Sequence, residues 1–498
     1  MRPALAAEPT WLDRAIAWFA PTVAVKRQRS RAALAFARGY DGAKVGRRTD
    51  GWRAGSASAN AELLPAMTAL RNRSRDLVRN NPFARRAVGA LVSGLVGSGF
   101  VASLNGARTD VRTAWESFVQ SCDADGQLDF YGLQSLIARC MFESGECIVR
   151  LRRRRSEDGL LVPLQLQVLE PDHLDAGKTQ QLAGGGRIVS GVEFDALGRR
   201  VAYWLFPDHP GDVALGVSGL ASVRVPADQV IHLYEKARPG QVRGVPQLAA
   251  SMLRLRDLDD YEEAELVRKG IEACFAAFVT SPEGDPSLTP ATNDAAGRRI
   301  ETLGAGMIQY LRPGESVSFG SPTSSDGYGD YTRTQLHAIA AGAGVTYEQL
   351  TGDLSQVNYS SIRAGLLEFR RMVETLRWQM FAPMFLSRVQ AEFATMALVS
   401  GAVRATVPAW DWTAPRWEWV DPLKESEAAA SEIRIGLSSL SEKLRERGLD
   451  PERVFSEIAA ERKRLAELGI NLDASASPAA RVLMDHDETT PQPNRRAA

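Results

Sequence analysis

Four short stretches of the chain hold residues whose types and spacing could do chemistry. Asp123-Ala124-Asp125-Gly126 opens like a calcium loop, in which alternate carboxylates ligate a hard cation. The later ligand positions and the closing Glu of an EF-hand do not follow, so a turn capped by a carboxylate is expected. Gly216–Gly219 reads Gly-Val-Ser-Gly, one residue short of the G-x-S-x-G elbow that exposes a nucleophilic serine, and is read as loop. Gly184–Gly186 lacks the Lys-Ser/Thr of a phosphate-cradling loop and precedes a strand, so a turn is expected. Arg152–Arg155 is a run of four guanidinium groups that could face nucleic acid or guard an exposed strand edge.

Histidine and cysteine add no constellation. The five histidines, His173, His209, His232, His337 and His486, form no H-E-x-x-H or similar cluster. His173 and His232 lie beside strands, where a hydrogen-bonded structural histidine is the expectation. Cys122, Cys140, Cys147 and Cys274 include no pair two residues apart, and a reducing compartment suits so thin a set. The residues therefore predict no catalytic group, no metal site and no cofactor.

The elements that would position any site come next. At 498 residues and 44% apolar content, two or three globular units are expected. The 60 basic and 60 acidic residues balance, which argues against a broad nucleic-acid-gripping surface. Residues 1–100 nevertheless hold 17 Lys/Arg against 6 Asp/Glu, the mark of a basic arm. Asp13 and Arg14 precede the short apolar run near Trp18, which lacks signal-peptide architecture, and the run Val88–Phe100 is too short to span a bilayer. Apolar spacing predicts helices over most of 51–100, over Val111–Ser121 and over Tyr131–Glu143. Alternation predicts strands through 146–235, with a hairpin at Leu197-Gly198. A charged helix follows Pro246 and stops at Gly270. Short strands and loops fill 275–330, and a helix covers about Arg333–Ala341, broken by Gly342 and Gly344. The Trp- and Pro-rich stretch 396–422 precedes two helices, Pro422–Leu437 and Ser441–Leu468, the second interrupted near Gly448-Leu449-Asp450-Pro451. This is an α+β body.

The most distinctive stretch is TGDLSQVNYSSIRAGLLEFRRM, Thr351–Met372. A small polar loop runs into a helix expected to start at Ser360 and reach about Ala391. Ile362, Leu366, Phe369, Val373, Leu376 and Met380 form one apolar stripe, and Arg363, Arg370, Arg371 and Arg377 lie off it with Glu368 and Glu374. The span Ser360–Met380 is about 31 Å.

DLSQVNYSSIRAGLLEFRR, Asp353–Arg371, resembles the signature of the lambda-type family of tailed-bacteriophage portal proteins. Other stretches resemble the family in the same order. They are YDGAKVGRRTDGWRAGSASANAE, LRNRSRDLVRNNPFARRAV with the run ending LVGSGF, FESGECIV, VIHLYEKARPGQVRGVPQLAASM and LRPGESVSF. The resemblance runs from about residue 38 to 425. It implies a portal fold with an α/β wing, a two-helix stem, a small β-containing clip, a tunnel loop with a long helix, and a helical C-terminal crown. The boundaries implied are a basic arm at 1–50, the wing at 51–245, stem helices at 246–274 and 331–350 around a clip at 275–330, the tunnel loop at 351–360, the tunnel helix and wing return at 361–421, the crown at 422–470, and a polar tail at 471–498 expected to lack fixed structure.

The resemblance further implies a homo-oligomeric ring, typically of twelve, at one capsid vertex of a virion assembled in the bacterial cytoplasm. Double-stranded DNA would slide through it without sequence-specific contact. Terminase large subunit, a head–tail connector or adaptor, and major capsid protein or scaffold would be its partners, with no membrane and no enzymatic activity of its own. Asp353, Leu354, Ser355, Gln356, Val357, Asn358 and Tyr359 would form the loop facing DNA. Ser360, Arg363, Glu368, Phe369, Arg370 and Arg371 would belong to the helix behind it. The alternative is a monomeric or dimeric nucleic-acid-binding enzyme using the basic N-terminal region.

Overall fold

A computed structural model describes residues 16, 18–23, 26, 47, 50–51, 55–104, 106–212, 221–273, 278–280, 309–311, 327–355, 358–417, 422–449 and 451–470. Its framework is a three-stranded antiparallel sheet, β2 (Glu146–Arg153) between β3 (Leu164–Leu169) and β9 (Val230–Tyr234). Side chains alternate along β2. Cys147, Val149 and Leu151, with Leu164, Leu166, Ile231 and Leu233, join the large helical core on one face. Ile148 and Val230 face the other way, onto an antiparallel meander of β4 (Gln180–Gln181), β5 (Arg187–Val189), β6 (Val192–Phe194), β7 (Arg200–Leu205) and β8 (Val223–Pro226). Cys147–Val149, buried on both faces, is apolar throughout, while Arg150, Arg152 and Arg153 stand at the less buried end of the strand.

The helical face is built from α1 (Ala59–Asn80), α2 (Pro82–Leu95), α3 (Thr109–Ser121) and α4 (Phe130–Ser144). Asn81 separates α1 from α2 and caps the latter, its side chain accepting from Ala84 N–H with Pro82 at the first turn. Trp115 of α3 is the centre of an aromatic cluster, with Phe118, Phe130, Phe393, Trp410 and Trp412 at centroid distances of 5.0–5.8 Å. Trp412 lies on β12 (Asp411–Thr413), which pairs with β1 (Val101–Ser103), so the Trp/Pro-rich stretch closes onto the early helices.

A helical excursion leaves this body and returns to it. A 3-10 turn, Gln247–Ala250, leads into α5 (Met252–Ala273), and α6 (Tyr328–Ala343) comes back alongside. Ser251 Oγ donates to Ile339 O at 3.1 Å and Gln247 Nε2 to Ala343 O at 3.1 Å, while farther out Tyr261 stacks on Tyr328 and meets Tyr331 edge-on. The falling register makes the two helices antiparallel. A Cβ built on Gly342 would stand 2.3 Å from Ser251 Oγ, so glycine permits the close crossing. Between the helices, β10 (Phe278–Thr280) pairs in parallel with β11 (Gln309–Leu311); of the expected 275–330 region, 327–330 belong to the start of α6 and the rest lies outside the described residues.

Several expected boundaries shift. The helix after Pro246 begins only at Met252 and passes Gly270 to Ala273. The return helix is Tyr328–Ala343, with Gly342 inside it and Gly344 capping it in the left-handed region at φ 78°. What was read as its continuation to 350 is a separate helix, α7 (Tyr347–Thr351). Beyond α8 (Tyr359–Leu376), a wide-turned segment Arg377–Leu386 and α9 (Ser387–Val399) carry the rod eight residues past Ala391. Pro383, which has no N–H, sits in the wide turns, and Ser387 N–H reaches back five residues to Ala382 O. The C-terminal region holds α10 (Pro422–Arg434), α11 (Leu440–Glu446) and α12 (Pro451–Glu467), the last two parted at the interruption expected near Gly448–Pro451. The chain past Ile470 and most of the basic arm lie outside the described residues.

Candidate functional site: a pinned loop, its helix and their anchors

The loop that follows α7 is fixed at both ends. Thr346 and Gln349 form a reciprocal cap at the start of α7, at 3.2 and 3.0 Å. Gly352 ends α7 at φ 76°, and a Cβ there would stand 2.9 Å from Arg86 Nη2. Arg86 Nε donates to Gln349 O at 2.7 Å, tying α7 to α2. Asp353 then bends the chain: its Oδ1 accepts from Ser355 N–H at 2.9 Å and its Oδ2 from the Tyr347 hydroxyl at 3.4 Å. The Ser355 side chain and N–H hold this carboxyl below the usual range. At the far end, Asn358 Oδ1 accepts from Ser361 N–H at 2.8 Å and caps α8.

The described residues between those fixtures are displayed outward. Leu354 is 62% exposed, and Ser355 and Asn358 are exposed too. Gln356 and Val357 lie outside the described residues. Two assignments change. Tyr359, expected in the loop, is the first residue of α8, because the Asn358 cap starts the helix there. Asn358 therefore serves the helix end as well as the loop surface.

On α8, Ser360, Arg363, Glu368 and Arg371 are exposed. Phe369 is 6% exposed and meets α2 at Gly94, where a Cβ would lie 2.9 Å from its ring. The stripe holds for Phe369, Val373 and Met380, which are buried; Ile362 and Leu366 are only half-buried. Phe369→Ala is expected to cost about 3–5 kcal/mol, the usual loss for a buried phenylalanine, and to lower the thermal midpoint. An unchanged midpoint would remove Phe369 from the core. Arg370 is half-buried, its guanidinium 5.4 Å from the Trp417 ring centroid.

The largest departure is Arg377, which the sequence pattern put on the polar face. It is 2% exposed. Its guanidinium donates to Gly94 O at 2.7 Å, Leu95 O at 3.1 Å, Pro415 O at 3.2 Å and Glu374 Oε1 at 2.8 Å, and lies 4.3 Å from the Trp417 ring centroid. Gly94 and Leu95 are the last residues of α2, so the cation sits at the negative end of that helix. Burial lowers the Arg377 pKa, and Glu374 opposes that shift. One side chain thus fastens the end of α8 to α2 and to the Trp/Pro-rich segment.

The other chemical candidates resolve into structure. Asp123 accepts from the N–H groups of Asp125, Gln127 and Leu128 at 2.9–3.0 Å, the capped turn expected. Gly184–Gly186 falls in the turn between β4 and β5, and Gly216–Gly219 lies outside the described residues. Burial pushes the Cys122 thiol up to about 12 and Cys147 well above its ordinary value, so neither is a poised nucleophile. Glu170, Asp172 and His209 bring ligand atoms within 4.8 Å of one another. Arg75 Nη2 already stands 2.6 Å from Asp172 and 3.0 Å from Glu170, so a guanidinium takes the cation's place there.

A model of the family described as phage portal protein, lambda family, matches residues 45–377. The chain belongs to that family. It is 28% identical over 363 residues to a probable portal protein of Halomonas phage phiHAP-1, covering 70% of this chain and 69% of that protein. Identity to the portal protein of Escherichia phage N15 is 25% over 511 residues, 92% and 96% of the two chains. Identity to portal protein B of Escherichia phage lambda is 24% over 492 residues, 88% and 91%. Against a solved structure titled as the neck of an empty gene transfer agent particle, the TM-score is 0.42 at 18% identity, over 77% of this chain and 93% of that one.

The portal-family match takes in a second constellation that sequence reasoning missed. Glu146, in FESGECIV, is fully buried. It accepts from Arg71 at 3.1 Å, from Arg243 Nη2 at 2.6 Å and Nε at 2.9 and 3.0 Å, from Gly244 N–H at 2.9 Å, and from His232 Nε2 at 2.9 Å. Burial would raise its pKa, but Arg243 and His232 overcome that and hold the carboxyl well below its ordinary value. Arg243 Nη1 also donates to Ser190 O and Oγ at 3.0 Å, which holds Ser190 at φ 49°. His232 Nδ1 faces Arg200 Nη1 at 3.0 Å and must accept, so Nε2 carries the proton toward Glu146. The cluster joins α1, β2, β9 and the meander at one buried point. A glutamate placed directly before the apolar run Cys147–Val149 was the available signal.

Burial lowers the His232 pKa to about 4, so the folded chain holds this ring neutral at pH 7. The unfolded chain binds a proton near pH 6.5 that the folded chain refuses until about 4, so stability falls as pH drops through that interval. The full loss attributable to this ring is about 3 kcal/mol. His232→Gln is expected to flatten the melting temperature between pH 6.5 and 4; an unchanged slope would place the titration elsewhere.

Proposed function

We propose that this portal protein forms a closed ring of twelve subunits at a single capsid vertex, through which double-stranded DNA is packaged and ejected. The ring assembles in the host cytoplasm, takes its place in the virion, and docks terminase large subunit, head–tail connector or adaptor proteins, and capsid or scaffold protein. It performs no catalysis itself. In this reading residues 51–245 with 377–417 are the wing, α5 and the part of α6 from residue 331 the stem, 275–330 the clip and 422–470 the crown. The loop 352–358 faces the channel, and α8 is the tunnel helix.

The observation that carries the reading is the loop itself: a short segment held at both ends, exposed at Leu354, Ser355 and Asn358, at the head of a helix fastened to the body. A conduit must not grip what it conducts. Neutralising six to ten phosphates would make affinity strong and steeply salt-dependent. Ser355, Gln356 and Asn358 offer DNA weak polar contact, and the chain's charges balance at 60 and 60.

Lysine at Ser355 and Gln356 is expected to leave melting temperature and ring mass unchanged, since exposed loop changes usually stay within about 0.5 kcal/mol. Each subunit then adds two positive charges around a polyanion, and particles assembled with the variant should package shorter DNA, more so at low salt. Asn358 is kept, because its loss would remove the α8 cap at a cost of about 1 kcal/mol. Full-length packaging by the lysine variant would make the segment a surface connection. Ring mass by light scattering tests the closed ring separately.

A further inference from the structure

We propose that the groove at the open edge of β3 receives residues Val482–Glu488 of this chain's own C-terminal tail, laid along the strand with carboxylates on Arg152 and Arg154. This rests on the groove's geometry and not on the channel reading. Among the described residues β3 is an edge strand, paired along its length with β2 and touched on its outer side by a single bridge from Asp123 to Leu166. Its outer edge is covered at one rung: Leu166 N–H donates to Cys122 O at 2.6 Å, and Ala124 N–H to Leu166 O at 3.0 Å. There the covering chain turns away, because Asp123 draws the N–H groups of Asp125, Gln127 and Leu128 onto its carboxylate. By the two-residue period, the N–H and C=O of Val168 point off the edge at the next rung, where no described strand meets them.

Beside that rung is a groove of about 320 Å³. Leu128, Leu133 and Leu136 give it an apolar wall, with Leu128 and Leu136 exposed at 39% and 42%. Arg152 and Arg154 line it as well. Arg154 is held by Gln165 at 2.8 Å, while Arg152 Nε is buried with no hydrogen-bond partner. Burial and the neighbouring Arg154 both push the Arg152 pKa down, which an incoming carboxylate would relieve. Asp123 also lines the groove, but its oxygens are taken by three backbone donors; Asp125 is exposed.

An open rung, an apolar wall and a buried guanidinium N–H left without a partner fit an extended peptide that carries apolar residues next to acids. A phosphodiester would leave the leucines uncovered. The chain holds such a segment in Val482-Leu483-Met484-Asp485-His486-Asp487-Glu488. It begins twelve residues after Ile470, a reach of about 40 Å when extended.

The test is thiol crosslinking in the full chain carrying Leu128→Cys and Met484→Cys, treated with a short bis-maleimide. A product well above that of Leu128→Cys alone is expected, and its mass tells whether the same or a neighbouring copy donates the tail. Adding Arg152→Glu should lower the yield about tenfold, and adding Asp487→Arg to that variant should restore it. Leu136→Lys, at an exposed position, should lower the yield without disturbing the melting temperature. The proposal falls if no such product forms. It also falls if Thr490→Cys in place of Met484→Cys crosslinks equally, or if neither Arg152→Glu nor Leu136→Lys matters. Salt-sensitive blocking by a double-stranded DNA oligonucleotide, with no rescue by the charge swap, would instead make the groove a phosphate site.

Discussion

Glu146→Gln is expected to destabilise the protein by about 3–5 kcal/mol, the usual result of removing one partner from a buried ion pair. The shape of the side chain barely changes, but its charge goes. Arg71 and Arg243 are both almost wholly buried, and both lean on this carboxylate. Asp172 still answers Arg71 at 3.2 Å, so Arg243 bears most of the loss. The incoming amide would also turn an N–H toward a guanidinium. Denaturant unfolding measures the effect. Combining Glu146→Leu with Arg243→Met should be milder than Glu146→Gln alone, because no unpaired charge stays behind. If Glu146→Gln is neutral, the cluster's bonds are not what joins the meander to the helical layer.

Arg377→Ala is expected to be about as costly, on the order of 3–5 kcal/mol. Three carbonyls, of Gly94, Leu95 and Pro415, lose a charged donor, and the Trp417 ring loses the cation beside it. Arg377→Lys should recover only part, since an ammonium cannot spread over carbonyls from two segments as a planar fork does. Hydrogen exchange distinguishes this from a general loss of stability: amides of Tyr359–Leu376 should lose protection before those of β2. Uniform loss across the chain would show that Arg377 supports the whole body and has no special hold on α8.

Period explains what could be read in the sequence. Phe369, Val373 and Met380 repeat at helical spacing and are buried, and the alternation in 146–235 became strands. Arg377 escaped because a helical wheel sorts by residue type, and no local pattern shows that the end of α2 waits 282 residues earlier with bare carbonyls. Glu146 escaped for the same reason: Arg71, His232 and Arg243 come together only after three elements have packed. Asn358 looked like one more polar loop residue, but the first turn of α8 needed an acceptor. The pairing of β1 with β12 joins residues 310 apart, as Ser103 Oγ and Thr413 Oγ1 do at 2.7 Å, and no turn signal announces it.

The contact between Ser251 and Ile339 bears on how this family can vary. The chain departs for α5 and returns through α6 at one doorway, closed by two side-chain-to-carbonyl bonds and a glycine too small to obstruct it. Whatever is threaded between Ser251 and Ile339 starts and finishes beside the same stretch of body. Lengthening such a detour costs only about 0.6 kcal/mol per doubling, while the body feels the same two ends. The excursion is therefore a socket: what it projects could be exchanged for a longer or shorter piece, to meet a different partner, without re-editing the sheets and helices behind it.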